Sequence, residues 1–154
     1  MTAGGDRLDY PGITATETVS LVTTKVHLNS VISTPSAKYL TCDIKDYYYG
    51  TPLDRYEYLR MHITTIPQEI IDQYNLQKLV HNGYVYIEVR KGMPGLKQAG
   101  KIANERLKKH LAKFGYYPAA HTPALWLSKT NNVTFTLCVD DFGIKYTNRA
   151  HAEH

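Results

Sequence analysis

The stretch from Val133 to Asp141 constrains this chain more than any other. Val133, Phe135, Leu137 and Val139 alternate with Thr134, Thr136, Cys138 and Asp140, and a period of two belongs to a strand with one buried and one polar face. Asn131-Asn132 before it and Asp140-Asp141 after it are turn formers. Ala124 to Ser128, Val133 to Val139 and Phe142 to Tyr146 therefore read as a series of antiparallel hairpins. On this reading Asp140 ends the middle strand on its polar face, where packing of the alternate apolar residues holds the carboxylate in place.

Another acid, Asp43, sits in the short β-type run Lys38 to Ile44, and Gly50-Thr51-Pro52 closes the segment after it. Acids set in apolar strands are costly unless a cation neutralises them. Hard divalent ions do this, since Mg²⁺ takes oxygen ligands and a pair of metals can stabilise both the attacking and the leaving oxygen of a phosphoryl displacement. A structural account stands beside the chemical one: Asp140-Asp141 also suits a plain hairpin turn, and Asp43 a strand cap or a partner for Lys45. Acids at strand ends occur in metal hydrolases and receiver domains too, so the carboxylates alone do not name a reaction.

The remaining segments predict an α+β domain. Ala3 to Gly12 reads as loop. Thr14 to Ser33 reads as helix, with Thr14 and Glu17 as a capping box and Val19, Val22 and Val26 as an apolar stripe ending near Thr34-Pro35. Pro67 opens a short helix with Ile70, Ile71 and Tyr74, stopped near Asn75. Gly83 to Arg90 alternates as a half-buried strand, and Gly92-Met93-Pro94-Gly95 is a turn. Gln98 to Phe114 is the clearest helix, with Ala99, Ala103, Leu107, Leu111 and Phe114 on one stripe and Gly115 at its end.

Composition narrows the partners. A net charge of +4 and a pI near 9.0 lean towards a polyanion. Arg106, Lys109 and Lys113 share one helix face that fits template phosphates or plain solvation. Thirteen tyrosines suit base stacking or a half-exposed sheet. Two cysteines, Cys42 and Cys138, are too few for a disulfide scaffold and lie on opposite faces of their strands relative to Asp43 and Asp140, so no bridge is expected. No run of apolar residues is long enough to span a membrane, and the expected setting is intracellular.

Three longer stretches carry a family resemblance. Cys42-Asp43-Ile44-Lys45-Asp46-Tyr47-Tyr48-Tyr49-Gly50-Thr51-Pro52-Leu53-Asp54 resembles the first catalytic-aspartate motif of reverse transcriptases. Gly92-Met93-Pro94-Gly95-Leu96-Lys97-Gln98-Ala99-Gly100 is similar to the Gly-Leu-Lys-Gln-Ala motif of copia-type elements, with Pro94 where an aromatic is usual. Cys138-Val139-Asp140-Asp141 resembles their double-aspartate hairpin, with Cys138 where Tyr is usual. The likeness extends to Arg7-Leu8-Asp9-Tyr10-Pro11-Gly12 and Phe142-Gly143-Ile144-Lys145-Tyr146, and identifies the chain as similar to the reverse transcriptase of copia-type LTR-retrotransposon gag-pol polyproteins.

The resemblance implies a right-hand polymerase palm: an antiparallel sheet backed by helices, with residues 1–55 as palm with its N-terminal loop and helix, 56–97 as part of the fingers and 98–154 as palm carrying the double-aspartate hairpin. The thumb, RNase H and integrase would lie outside it. It implies an RNA-directed DNA polymerase that joins dNTP to a primer 3′-OH on an RNA or DNA template, using two Mg²⁺ or Mn²⁺ ions on Asp43, Asp140 and Asp141. Ile44, Lys45 and Asp46 would lie by the triphosphate, Gly95, Lys97 and Gln98 by nucleotide or template, and Cys138 and Val139 by the primer. Tyr48 would exclude a ribose 2′-OH, or be a plain core aromatic. Lys97 has a solvated loop lysine as its alternative. The likeness further implies the rest of the polyprotein as partner, a virus-like particle or nucleus as setting, and weak or no activity for the isolated fragment. The competing expectation is a non-catalytic nucleic-acid-binding remnant of a retroelement.

Overall fold

The computed structural model describes residues 3–153. In chain order the elements are α1 (Leu21–Ile32), β1 (Lys38–Asp43), β2 (Pro52–His62), α2 (Gln68–Gln73), β3 (Tyr84–Lys91), α3 (Ala99–Lys113), β4 (Tyr116–Pro118), β5 (Leu125–Ser128), β6 (Val133–Cys138), β7 (Asp141–Tyr146) and α4 (Arg149–Ala152), with short 3₁₀ turns between some of them. A five-stranded antiparallel sheet runs β1-β7-β6-β5-β4, and β2 pairs with β3 in a separate ribbon. Both expected features of the class, antiparallel sheets and packed helices, are present, and the fold is α+β.

The alternation that dominates the sequence sets the two faces of the main sheet. Directly opposed residues of antiparallel strands share a face. Register therefore places Tyr39, Lys145 and Thr134 in one row, Thr41, Gly143 and Thr136 in the next, and Asp43, Asp141 and Cys138 in the last. Leu40, Ile144 and Phe135, then Cys42, Phe142 and Leu137, point the other way. On that side Phe135, Leu137, Val133, Ile144 and Trp126 join Leu111 of α3 in the main core, and Trp126 stacks on Phe135 at 5.8 Å between ring centroids.

The first helix departs from expectation. It starts at Leu21, capped by the Ser20 hydroxyl, which accepts from the Thr23 N–H at 3.0 Å. The preceding residues are held off the helix because the Val19 N–H donates to the Leu137 carbonyl at 3.2 Å. Glu17 pairs with Lys108 at 3.3 Å instead of closing a capping box. Val22 and Val26, the expected apolar stripe, face solvent. The helix docks through polar groups: buried His27 meets the Thr134 hydroxyl at 3.0 Å, and the Lys145 ammonium donates to the Ser30 carbonyl at 3.0 Å and the Thr34 hydroxyl at 2.8 Å.

Strand β2 was not legible, because Asp54-Arg55-Tyr56-Glu57-Tyr58 carries no apolar alternation. Its partner supplies the reason it is extended: cross-strand contacts include the Tyr58 hydroxyl on Glu88 at 3.2 Å and the Arg60 guanidinium 3.8 Å above the Tyr84 ring. With α2 this ribbon encloses its own small core of Ile66, Ile71 and Val85. A third cluster, Leu53, Met93, Leu96 and Ala99, joins it to α3. Among the described residues no helix is long and apolar enough to cross a membrane.

Candidate active site

β6 and β7 are joined by the two residues Val139 and Asp140, so Asp140 sits in the turn itself, two residues past the strand end at Cys138, and does not end the strand as alternation predicts. Val139 adopts φ of 61°. A β-branched residue rarely enters this left-handed region, and such strain collects at functional sites.

The turn is anchored to the first strand. Asp43 and Asp141 are opposite one another in the β1–β7 register, and the Ile44 N–H donates to the Asp140 carbonyl at 3.2 Å. The Asp140 carboxyl lies near enough to Asp43 and Asp141 to feel both charges. Burial pushes the Asp140 carboxyl above the usual carboxylate range, and the charges of Asp43 and Asp141 push it further the same way against its own backbone hydrogen bond. Acids almost a hundred residues apart in sequence thus converge at one corner of the sheet.

Residues 44–51 form the wall beside these acids. The Gly50 N–H donates to the Asp46 carbonyl at 2.8 Å, the Thr51 hydroxyl to the Tyr47 carbonyl at 3.0 Å, and the Gly92 N–H to the Thr51 carbonyl at 2.8 Å. From α3, Arg106 donates to the Gly50 carbonyl at 3.0 Å. Arg106 therefore pins this turn, a role that its place on a basic helix face did not suggest. The Lys45 and Asp46 N–H groups donate to no backbone carbonyl among the described residues, which leaves them open to an anion. Asp46 itself has φ of 56°.

Two tyrosines complete the wall. Tyr48 is half-buried against the Leu53–Met93 cluster, and burial, then Asp140, raises its phenol above the ordinary value. Tyr47 meets it edge-on at 5.4 Å. The buried Tyr47 hydroxyl has no hydrogen-bond partner among the described residues, and burial, then Tyr48 and Asp140, pushes its pKa up to about 12. Only its place in a tyrosine run pointed to this residue.

The Gly95 motif is placed differently. Its loop lies under the N-terminal segment: the Ala3 N–H donates to the Pro94 carbonyl at 2.8 Å, Lys97 donates to the Leu8 carbonyl at 2.9 Å, and Gly5 packs so closely on the Gly95 carbonyl that no side chain would fit there. Gln98 is 1% exposed and donates to Glu57 at 2.8 Å, with Arg55 on the same carboxylate at 3.0 Å. Lys97 and Gln98 are thus engaged by protein groups and are not gathered with the acids.

Cys42 and Cys138 are both free. Cys138 shares the row of Asp43 and Asp141, whereas Cys42 points to the core side. Burial, then Asp43, raises the Cys42 thiol. Among the described residues no group of three or more His, Cys, Asp and Glu side chains is arranged as a ready metal cage. Carboxylate oxygens such as those of Asp43, Asp140 and Asp141 are the donor type that Mg²⁺ or Mn²⁺ take, with water and phosphate oxygens completing the shell. No family model, no curated protein and no solved structure matches this chain.

Proposed function

We propose that this chain is the core of an RNA-directed DNA polymerase of the copia type, extending a primer 3′-OH with dNTP on an RNA or DNA template. The convergence of Asp43 and Asp140 at the β6–β7 turn, with Asp141 opposite Asp43, carries the reading. Spacing along the chain could not guarantee that meeting, and a cation would relieve the repulsion of like charges gathered at one corner.

Two Mg²⁺ or Mn²⁺ ions on these acids would supply charge neutralisation at the attacking and leaving oxygens. The chain's own residues do the positioning. The free Lys45 and Asp46 N–H groups receive the triphosphate oxygens, and the bonds from Arg106 and Thr51 keep that turn rigid. Tyr48 lies under the incoming sugar, where its ring leaves no room for a 2′-OH. Cys138 and Val139 flank the primer end. The remainder of a gag-pol polyprotein is the natural partner, in a virus-like particle or nucleus.

One observation favours the second reading, a nucleic-acid-binding remnant without turnover. Lys97 and Gln98 face protein partners and not an open nucleotide site. Primer extension on an RNA template separates the two readings. Extension that needs Mg²⁺ or Mn²⁺ and falls by about a hundredfold or more in Asp140→Asn supports the polymerase. Template binding with no extension by the wild-type chain supports the remnant.

A further inference from the structure

We infer that α1 is a pH-sensitive cover, docked on the acid-bearing face of the main sheet while His27 is neutral and released from it when His27 takes up a proton. Among the described residues none of α1 joins any of the three apolar clusters, and Leu21, Val22, Val26 and Ile32 face solvent. Burial of an apolar stripe, the usual anchor of a surface helix, therefore plays little part here. Polar bonds hold it instead: His27 meets Thr134 at 3.0 Å, and the Lys145 ammonium donates to the Ser30 carbonyl and the Thr34 hydroxyl. The row beneath the helix, Tyr39, Lys145 and Thr134, lies on the same sheet face as Asp43 and Asp141, so release lays open the sheet beside the acids.

The interface has no place for a charged imidazole. His27 is 5% exposed, and its Nδ1 is buried without a hydrogen-bond partner among the described residues. A neutral ring can carry its one proton on Nε2, but an imidazolium carries one on each nitrogen, and a buried N–H without an acceptor is costly. From β6 the ring meets the Thr134 hydroxyl, from β1 the Tyr39 ring at 6.0 Å between centroids, and from β7 the Lys145 charge acts on it. On α1 itself the one other charged side chain is Lys25, which is exposed. None of these is a carboxylate that would balance the new charge, and Lys145 repels it. Burial accordingly lowers the docked pKa below 6.5, the bond to Thr134 opposes the shift, and Lys145 assists it. Once released, the ring regains the ordinary 6.5 and binds a proton that the docked ring refuses. Release thus becomes easier by up to about tenfold per pH unit as pH falls from 6.5 to the docked value, and gains nothing further below it.

A freed helix of 12 residues is marginal in water, so release shows as hydrogen exchange. In the full chain, after correction for the intrinsic effect of pH on exchange, protection of the α1 amides should fall by about fivefold or more between about pH 7.5 and about pH 5.5. The amides of β6 and β7 should keep theirs. In His27→Gln, which stays neutral and can still bond Thr134, protection of α1 should not change over that range. Should that variant not fold, the wild-type chain decides: the pH midpoint for loss of α1 protection must coincide with that of the His27 ring signals in NMR spectra. Equal loss in α1 and the sheet, no loss through the titration of His27, a folded His27→Gln variant that keeps the pH dependence, or separate midpoints would overturn the inference. Neither metal nor nucleotide is added, so the result is independent of whether the acids support polymerisation.

Discussion

Asp43 and Asp141 stand directly opposite each other across β1 and β7, on one face of the sheet, with Asp140 beside them in the turn. Like charges in direct cross-strand register are destabilising, so the corner that holds the acids works against the fold.

Asp140→Asn should therefore stabilise the metal-free protein. Burial and its acidic neighbours raise the Asp140 pKa in the fold above the ordinary 3.8. The native chain then keeps a proton that the unfolded chain has lost, and wild-type stability declines as pH rises through that window and stays reduced above it. Thermal melts in chelator should show Asp140→Asn about 2 °C higher near neutral pH, with the gap closing as pH falls towards 3.8. Added Mg²⁺ should raise the wild-type Tm more than that of the variant, and an equal rise in both would argue against metal at these acids.

Val139 holds φ of 61° in the β6–β7 turn. Asparagine tolerates this conformation far better, so Val139→Asn should gain about 0.5–1 kcal/mol in denaturant unfolding at unchanged slope. If the strained turn also orients Asp140, extension should slow in the same variant. A less stable variant would show that packing of the valine outweighs backbone strain.

Tyr48 supports a test of sugar selection on the proposed polymerase reading. Tyr48→Ala should raise the rNTP-to-dNTP ratio of kcat/KM by about tenfold or more. It should also lose about 2–3 kcal/mol of stability, since the ring packs on the Leu53–Met93 cluster. A ratio equal to wild type would leave Tyr48 as a core aromatic only.

Gly143 lies between Thr41 and Thr136 in the sheet, with the Tyr39 hydroxyl lying over it and Thr136 Oγ1 2.8 Å from where a Cβ would stand. Gly143→Ala should lower stability by about 1–3 kcal/mol. Tyr39→Phe removes the hydroxyl in the way, so the double variant should recover part of the loss in a mutant cycle. Strict additivity would place the clash elsewhere.

His27 is kept neutral by the fold. Burial lowers its pKa from 6.5, opposed by its bond to Thr134 and assisted by the nearby Lys145 charge. The unfolded chain takes up a proton that the native chain refuses, so stability should fall as pH drops below 6.5 through the depressed folded value. His27→Gln should flatten that part of a stability–pH curve measured by urea unfolding; an unchanged slope would assign the acid sensitivity to other groups.

The strands β5 to β7 and the helix α3 were readable because their burial follows a regular period that local sequence carries. The helix before β1 was misread at its start because a tertiary bond from Val19 to Leu137 overrides a local capping signal. Strand β2 was hidden because a two-stranded ribbon can be held by side chains such as Tyr58 and Arg60 as well as by apolar alternation. For the site, the acids and the turn after Asp43 were legible as motif. The inward placement of Gln98 and the pinning role of Arg106 were not, since each depends on a partner more than forty residues away.

Strand β1 lies at one edge of the main sheet and joins it only through β7, whereas β4 to β7 are linked by successive short connections. Local hairpins close early and cheaply, and a contact spanning a hundred residues closes late. Detachment of that single outer strand would separate Asp43 from Asp140 while the four-stranded meander stayed intact. Whatever chemistry the acids perform should thus fail on warming before the bulk of the sheet melts, and mild heat would silence the site in a protein whose spectrum still looks folded.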